Sequence, residues 1–539
     1  MTARTRTDIL LLAGFCAFLF FYGLGQFGLI GADEPRYAQV AREMLDRHDW
    51  VTPTLGGRAW LEKPPLYYWQ AMLVYSVIGV SDTAARIPSA LDATLLVVGV
   101  YLFFRKFRRG VEVDAALMTA SCAGIIGYAR AASMDMPLTA TFSIGMLSWW
   151  AWRESSRRIY LAAFYACMGL GMLAKGPVAP FLAALVILIF AAACRDWRLT
   201  LKTLWLPGIL LFLAVALPWY IAVQIANPQF FREFILQHNL ARYSSNLYHH
   251  PEPFWYYIPV TALALIPWIV FVCAALWETL RTWWSEKNRP RTEPDLELQF
   301  RLFTGFWLLV PVAFFSISQS KLPGYILPAV PAGAILLADY LLKHFEYESP
   351  IPRALVIVHS LVACAPLIPT VVIGYVVSRH RLPGGRPLLI ASAVAFVLCV
   401  AVALTLSGQK RLRMLRFVTL IPVVLAVTAV LKIGTAAIDQ NLSTRPPALE
   451  LAGVATRKLP IAVCGTSREV EYGLAFYRDQ PVSRYETGGI PSGEHLLVAL
   501  PAWKSTVTEW TKGRRVTALG HYDPQDLDYY WVASAAGKP

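Results

Sequence analysis

Runs of about 20 apolar residues recur along the first four fifths of this sequence, separated by short charged or Pro/Gly-rich breaks. A helix of roughly 20 apolar residues crosses a hydrocarbon core of about 30 Å, whereas barrel strands are much shorter. The pattern therefore predicts about thirteen membrane spans. Their predicted starts lie near residues 9, 83, 112, 137, 159, 177, 203, 256, 302, 324, 354, 387 and 415. The first run, residues 9–30, has no small-residue cleavage site at its end, so we interpret it as a retained span rather than a signal peptide.

Two stretches depart from this pattern. Residues 31–82 are amphipathic, with Tyr37, Val40 and Met44 on one helical face and charged residues on the other, which predicts periplasmic amphipathic helices near 33–80. After about residue 435, β-branched runs such as "LPIAVCG" and "HLLVALP" alternate with helix-like segments. The expected fold class is an all-α polytopic membrane domain over residues 1–435, followed by a small soluble α/β domain over residues 436–539.

Composition agrees with a membrane protein, because 56% of the 539 residues are hydrophobic and only 16% are charged. A net charge of +14 in a soluble protein would suggest a nucleic-acid partner, but here the basic residues gather in short loops between apolar runs. By the positive-inside rule these loops are cytoplasmic, which puts the amino terminus inside and, with an odd number of spans, the carboxy terminus outside. Of the eight cysteines only Cys464 lies in the polar tail, so no disulfide framework is expected outside.

Two acids stand side by side where the first predicted span leaves the membrane, Asp33 and Glu34 in "GADEPRY". A carboxylate at a membrane boundary is costly unless it is paired or faces water, so it indicates a functional site. The alternative is that both are solvated residues at a helix start, where the helix dipole favours acids. Asp135 in "ASMDMPL" opens the fourth predicted span, either as a third acid of the site or as an ordinary helix cap.

Cations and aromatic residues follow on the same predicted side. Lys63 lies in "LEKPPLYYW", and Lys321 and Tyr325 lie in "SKLPGYILP". Together with an Arg such a lysine would bind phosphate, although snorkelling to lipid headgroups is the common role of a single interfacial Lys. A transporter would be expected to place its charges near the membrane midplane on broken helices in paired halves, and this sequence has no such symmetry.

A long outer loop carries His238, Arg242, His249 and His250. The histidine pair could bind a divalent metal together with Glu62, whereas histidines in loops are more often solvated. No other cofactor is expected, because the sequence has no dinucleotide-binding or nucleotide-binding glycine motif.

Six motifs in this order carry a resemblance to a known family: "DEPRYAQVAREML", "GGRAWLEKPPLYYW", "MDMPL", "AKGP", "HHPEPFWYYIPV" and "SKLPGYILPA". The chain resembles the GT-C glycosyltransferases and, among them, the bacterial lipid A aminoarabinose transferases. The resemblance covers roughly residues 9–435. It implies a multi-pass enzyme of the bacterial inner membrane whose active site faces the periplasm. It also implies that 4-amino-4-deoxy-L-arabinose moves from undecaprenyl phosphate to a lipid A phosphate, which confers resistance to polymyxin and cationic peptides.

The resemblance also implies roles for individual residues. Asp33 would be the central catalytic acid, with Glu34 and Asp135 as further catalytic candidates. The substrate and phosphate ligands would be Arg36, Tyr37, Lys63, Arg242, Lys321 and Tyr325, and the metal ligands, if a metal takes part, would be Glu62 and His250. Two alternatives stay open: a related transferase that moves mannose to protein or galacturonic acid to lipid A, and a lipid-linked sugar transporter.

Overall fold

The computed structural model describes residues 3–234, 252–286, 295–346, 351–365, 415–454 and 458–534, together with residues 393, 394 and 397. The described chain is mostly helical. Up to residue 234 the helices are α1 (Ala3–Cys16), α2 (Asp33–Asp46), α3 (Leu66–Ile78), α4 (Asp82–Phe107), α5 (Glu112–Ser121), α6 (Ala123–Ala129), α7 (Asp135–Ser155), α8 (Arg158–Lys175), α9 (Val178–Cys194), α10 (Trp197–Thr203) and α11 (Leu206–Ala226). Between α2 and α3 lies a short hairpin of strands β1 (Thr54–Leu55) and β2 (Arg58–Ala59).

The later helices are α12 (Tyr257–Ala264), α13 (Ile269–Glu286), α14 (Leu296–Ile317), α15 (Val330–Glu346), α16 (Arg353–Ala363), α17 (Leu415–Ala429), α18 (Thr435–Leu442), α19 (Arg445–Val454), α20 (Arg468–Arg478) and α21 (Lys504–Trp510). A 3₁₀ turn, Pro323–Ala329, precedes α15. The later strands are β3 (Ile461–Cys464), β4 (Val482–Arg484), β5 (His495–Ala499), β6 (Val516–Tyr522) and β7 (Leu527–Val532).

Several helices are long and apolar enough to cross a membrane, as expected of a multi-pass membrane protein. Within the described residues there are five, or six if α12 and α13, bent by 113° at their junction, count as one broken span. Most other predicted starts coincide with helices that are shorter or more polar, and the start near residue 387 lies outside the described residues. The number thirteen therefore stays a prediction.

The first apolar run does not form one continuous helix to residue 30. Helix α1 continues as a π-helical turn, Ala17–Phe21, and the chain then turns extended at Tyr22. Gly23 follows with φ 73°, a left-handed conformation that glycine adopts without steric cost. Hydrophobicity alone predicted a longer span because it does not register a backbone reversal inside an apolar run.

The described chain divides into two compact units. The first comprises residues 1–22, 62–67 and 88–430. Its helices pack through aromatic side chains, as where the stacked rings of Trp149 and Phe303 lie 5.0 Å apart and both contact Phe190. These side chains are fully buried, so this part of the helical unit has a dense interior.

The second unit comprises residues 23–61, 68–87 and 431–539. Its carboxy-terminal part is a five-stranded mixed sheet in the order β4-β3-β5-β7-β6, in which β3 is parallel to β4 and β5 while β7 is antiparallel to both of its neighbours. Helices α19 and α20 cover one face of this sheet through Leu451 and Leu474. The sequence assigned residues 23–87 to the membrane domain, whereas in the structure most of them cluster with this sheet.

One buried ion pair joins three segments of the second unit. The Arg86 guanidinium donates to both carboxylate oxygens of Glu34, at 3.1 and 2.7 Å. It also donates to the carbonyl oxygens of Leu24, Phe27 and Gly28, at 2.7 to 2.9 Å. All its donors thus have partners, which offsets the cost of removing the charge from water.

A second network joins the carboxy-terminal segment to the same region. Arg445 binds Asp82 at 3.0 Å and Asp439 at 2.8 Å. The Tyr477 hydroxyl donates to Asp82 at 2.6 Å and accepts from the backbone N–H of Leu29, also at 2.6 Å. The second unit is therefore held together by charges and backbone groups from widely separated parts of the chain.

We expect the single substitution Arg86→Met to lower the free energy of unfolding by about 3 to 5 kcal/mol, because it leaves the Glu34 carboxylate buried without its partner. The double variant Glu34→Gln/Arg86→Met removes both charges and is expected to regain part of that loss. Thermal unfolding in detergent, followed by tryptophan fluorescence, measures both variants.

The matched control is Arg47→Met, which removes one partner of the exposed pair Arg47–Asp49 and should change the stability by less than about 1 kcal/mol. An Arg86→Met protein as stable as the wild type, or a double variant less stable than the single one, would contradict the prediction.

Candidate functional site

The two adjacent acids of α2 have different surroundings. Successive residues of an α-helix are separated by about 100° of rotation, so Asp33 and Glu34 cannot face the same environment. Glu34 is buried and binds Arg86, and its carboxylate also accepts from the backbone N–H of Ile30 at 2.8 Å. The Asp33 side chain is 54% exposed and pairs with Arg36. Of the two, Asp33 is the carboxylate open to a substrate.

The partner of Asp33 is itself restrained. Only 11% of the Arg36 side chain is exposed. Its guanidinium carbon lies 5.1 Å from the ring centroid of Tyr37 and 5.2 Å from that of Trp60. The Tyr37 ring packs edge to face against Tyr68, with 6.3 Å between centroids. A solvent-exposed acid is thus joined to a cation that aromatic rings enclose.

A second group of candidate residues meets in the first unit, at the start of α7. One carboxylate oxygen of Asp135 accepts from the Lys175 ammonium at the end of α8, and the other accepts from the Ser133 hydroxyl at 2.9 Å. The charge of Lys63 also acts on this carboxylate. Asp135 is therefore more than a helix cap, because its side chain is the anion of a small charged cluster.

The turn that precedes α15 approaches this cluster closely. The Lys175 ammonium nitrogen lies 4.9 Å from the ring centroid of Tyr325. A Cβ atom at the neighbouring Gly324 would stand 2.7 Å from both the Asp135 carboxyl carbon and the Tyr128 hydroxyl oxygen. Only glycine fits at this position without displacing the acid. Lys63, Asp135, Lys175 and Tyr325 therefore form one cluster, which we call the cation–acid cluster.

Lys321 is held by backbone oxygens. Its side chain is buried, and its ammonium donates to the carbonyl oxygens of Ser318 at 2.6 Å and Glu252 at 3.0 Å. These bonds join the segment after α14 to the segment before α12. The role of Lys321 in phosphate binding stays a prediction.

Several predicted residues lie outside the described part of the chain, among them Arg242 and His250. Among the residues that are described, no three His, Cys, Asp or Glu side chains come together as a metal site would require. The predicted metal pair joins a described residue, Glu62, to one that is not, so this metal site stays a prediction.

Sequence reasoning missed three contributors. Lys175 occurs in the "AKGP" motif, which was singled out without a role for its lysine. Ser133 and Gly324 lie beside predicted residues in "ASMDMPL" and "SKLPGYILP", but a hydroxyl or a glycine in a turn gives no sequence signal of what it contacts. The neighbourhood of known motifs was the only available indication.

Comparison with known proteins supports the resemblance read from the motifs. A family model described as dolichyl-phosphate-mannose-protein mannosyltransferase matches residues 62–221. An undecaprenyl phosphate-alpha-4-amino-4-deoxy-L-arabinose arabinosyl transferase of Pseudomonas paraeruginosa is 34% identical over 350 residues, which are 64% of this chain and 61% of that protein. A protein of the same name from Enterobacter sp. (strain 638) is 28% identical over 434 residues, 78% of this chain and 75% of that protein. The match to the Pseudomonas relative thus spans about 61% of its length.

Two solved structures share the fold over nearly the whole chain. The crystal structure of ArnT from Cupriavidus metallidurans bound to undecaprenyl phosphate has a TM-score of 0.73 and 23% identity, and the comparison covers 98% of this chain and 99% of that one. The same protein in the apo state has a TM-score of 0.75 and 22% identity, with 100% of each chain covered. The expected resemblance to the aminoarabinose transferases and the expected helical membrane fold are confirmed.

We expect Gly324→Ala to destabilise the protein by about 1 to 3 kcal/mol, since the added methyl group must displace the Asp135 carboxylate or the Tyr128 hydroxyl. The matched control is Gly127→Ala, because a Cβ at this helical position meets no atom within 4 Å. Alanine there should be neutral or stabilise by up to about 1 kcal/mol. Thermal unfolding of the two variants in detergent compares them, and equal midpoints would contradict the close approach of the turn to Asp135.

Proposed function

We propose that this chain is a membrane glycosyltransferase that moves 4-amino-4-deoxy-L-arabinose from undecaprenyl phosphate to a phosphate of lipid A. Relatives whose names state this donor support the proposal, as does the fold shared with a structure that holds undecaprenyl phosphate. The observation that carries it is the state of Asp33: an exposed carboxylate at the start of a helix, fixed by a buried cation. A fixed, exposed acid of this kind is suited to bind the cationic 4-amino group of such a sugar.

The proposed chemistry divides between two groups of residues. Asp33 would orient the sugar and stabilise the positive charge that develops at the anomeric carbon, as a preorganised carboxylate does best. The cation–acid cluster, with Lys63 and Lys175, would stabilise the departing phosphate. The acceptor phosphate is already ionised, so it needs little general base, and its attack from the opposite face inverts the anomeric carbon.

The membrane arrangement forms part of the proposal. About thirteen spans would carry the basic loops on the cytoplasmic side, while the α/β sheet region would be a soluble domain on the periplasmic face. The enzyme would lie in a bacterial inner membrane, where the polyprenyl chain remains in the hydrocarbon and its phosphate reaches the aqueous boundary. Modified lipid A carries less negative charge, which weakens binding of polymyxin and cationic peptides.

The family model over residues 62–221 favours one alternative, the transfer of mannose to a protein hydroxyl. That acceptor must lose a proton, so a protein mannosyltransferase needs a general base where a lipid A transferase does not. A steep acid limb in the pH–rate profile, together with glycosylated protein as product, would favour the alternative.

The decisive experiment is the lipid A mass spectrum of cells with and without this protein. Gain of one aminopentose on a lipid A phosphate supports the proposed function. Unmodified lipid A, in cells that make the undecaprenyl-phosphate-linked donor, would overturn it.

We expect Asp33→Asn to lower kcat by about 10²- to 10³-fold, because the amide cannot stabilise a developing positive charge. Asp46→Asn is the matched control: it changes an exposed acid at the other end of the same helix and should retain wild-type kcat. The assay follows sugar transfer by purified protein, and full activity of Asp33→Asn would exclude the assigned role.

Lys63→Ala should reduce kcat/KM for the lipid-linked donor by about 10- to 100-fold, since a charged hydrogen bond to the phosphate is lost. Lys202→Ala, an exposed lysine of α10, is the control and should leave both constants unchanged. An unaltered donor kcat/KM in the Lys63 variant would separate this residue from phosphate binding.

A further inference from the structure

A third aromatic ring closes around Arg36, and it comes from the carboxy-terminal part of the chain. The guanidinium carbon lies 5.7 Å from the ring centroid of Tyr472, in addition to the rings of Tyr37 and Trp60. Cations interact favourably with a ring face within about 6 Å of its centroid. The three rings lie on α2, just after β2 and on α20, so three separate segments of the second unit form this enclosure.

The enclosure bears directly on Asp33. The same guanidinium nitrogen, Nη2, binds the Asp33 carboxylate and lies 3.4 Å from the Tyr37 hydroxyl. A planar guanidinium stacked against aromatic faces has fewer orientations available than one in water. The rings therefore select the direction in which Arg36 presents its hydrogen-bond donors, and that direction fixes the Asp33 carboxylate.

Helix α20 makes a similar contact one turn further on. The Arg42 guanidinium carbon lies 4.8 Å from the ring centroid of Phe476, and Arg42 donates to the Phe476 carbonyl oxygen at 2.8 Å. Arg42 also binds Asp479 at 3.2 Å. Both contacts dock α20 on α2, but of the two arginines it is Arg36 that binds Asp33. The chain thus offers a matched pair in which docking and site positioning can be separated.

We propose that Tyr472 is a positioning residue for the transfer reaction, whose ring holds Arg36 in the orientation that fixes the Asp33 carboxylate. This inference rests on the proposed function and deepens it, because it gives the carboxy-terminal α/β part of the chain a role in the active site. Tyr472 touches neither the donor nor the acceptor; it acts through Arg36. The ring, rather than the hydroxyl, carries the effect.

The test compares kcat for sugar transfer in purified full-length variants supplied with undecaprenyl-phosphate-linked aminoarabinose and lipid A. Tyr472→Phe keeps the ring and should remain within about threefold of the wild type. Tyr472→Leu removes it and should lower kcat by about 3- to 30-fold, the range expected for loss of a cation–ring contact. Phe476→Leu loses the docking contact on Arg42 and should retain wild-type kcat, whatever its effect on the melting temperature.

A double-mutant cycle distinguishes positioning from general packing. In an Arg36→Met background the cation is absent, so Tyr472→Leu should cause no further loss of kcat. The melting temperatures of the same four proteins should show the same coupling without any substrate. Tyr472→Met replaces Tyr472→Leu if the leucine variant does not fold.

Three results would overturn the inference: Tyr472→Leu with wild-type kcat, Phe476→Leu with an equal loss of kcat, or an undiminished effect of Tyr472→Leu in the Arg36→Met background. Absence of transfer by the wild-type protein would instead reject the proposed function. In that case the coupling of melting temperatures still reports whether Tyr472 and Arg36 interact as described.

Discussion

The ion pair between Arg86 and Glu34 is the constraint on which the rest of the candidate site depends. A buried guanidinium is costly unless every donor is satisfied, and Arg86 satisfies its donors with one carboxylate and three consecutive-region carbonyls. The pair therefore fixes the loop after Gly23 and the first turn of α2 at the same time. Because Asp33 immediately precedes Glu34 in that turn, the orientation of the exposed acid follows from the burial of its neighbour.

This division of labour explains why two acids stand together at a membrane boundary. One carboxylate is given up to the interior, where it gains a bidentate cation and loses its access to ligands. The other keeps its access and gains a restrained cation, Arg36. Two isolated acids at the same depth would each carry an uncompensated desolvation cost, whereas here the buried one supports the position of the open one.

Hydropathy and motif order predicted the helical membrane fold, and they predicted that Asp33, Lys63, Asp135 and Tyr325 matter, because these signals are local in the sequence. The long-range contacts could not be predicted. No local pattern distinguishes Asp33 from Glu34, since both fit a helix start, and only the position of Arg86 decides between them. Likewise Tyr472 reads as one aromatic residue of an amphipathic helix, and its partner Arg36 lies at the other end of the chain. The early end of the first helix was missed because a backbone reversal at Gly23 leaves the apolar run unbroken.

Membership of the second unit also changes how the carboxy-terminal part of the chain must be studied. Tyr477 accepts from the Leu29 backbone, Arg445 binds Asp82, and α20 packs on α2, so this part shares its stability with the segment that carries Asp33. Deleting residues 431–539 would remove the partners of that segment together with any catalytic contribution of their own. Loss of activity in such a truncation would therefore say nothing about mechanism. Only single side-chain changes that leave α20 docked can separate the part of the carboxy-terminal region that stabilises α2 from the part that orients Arg36.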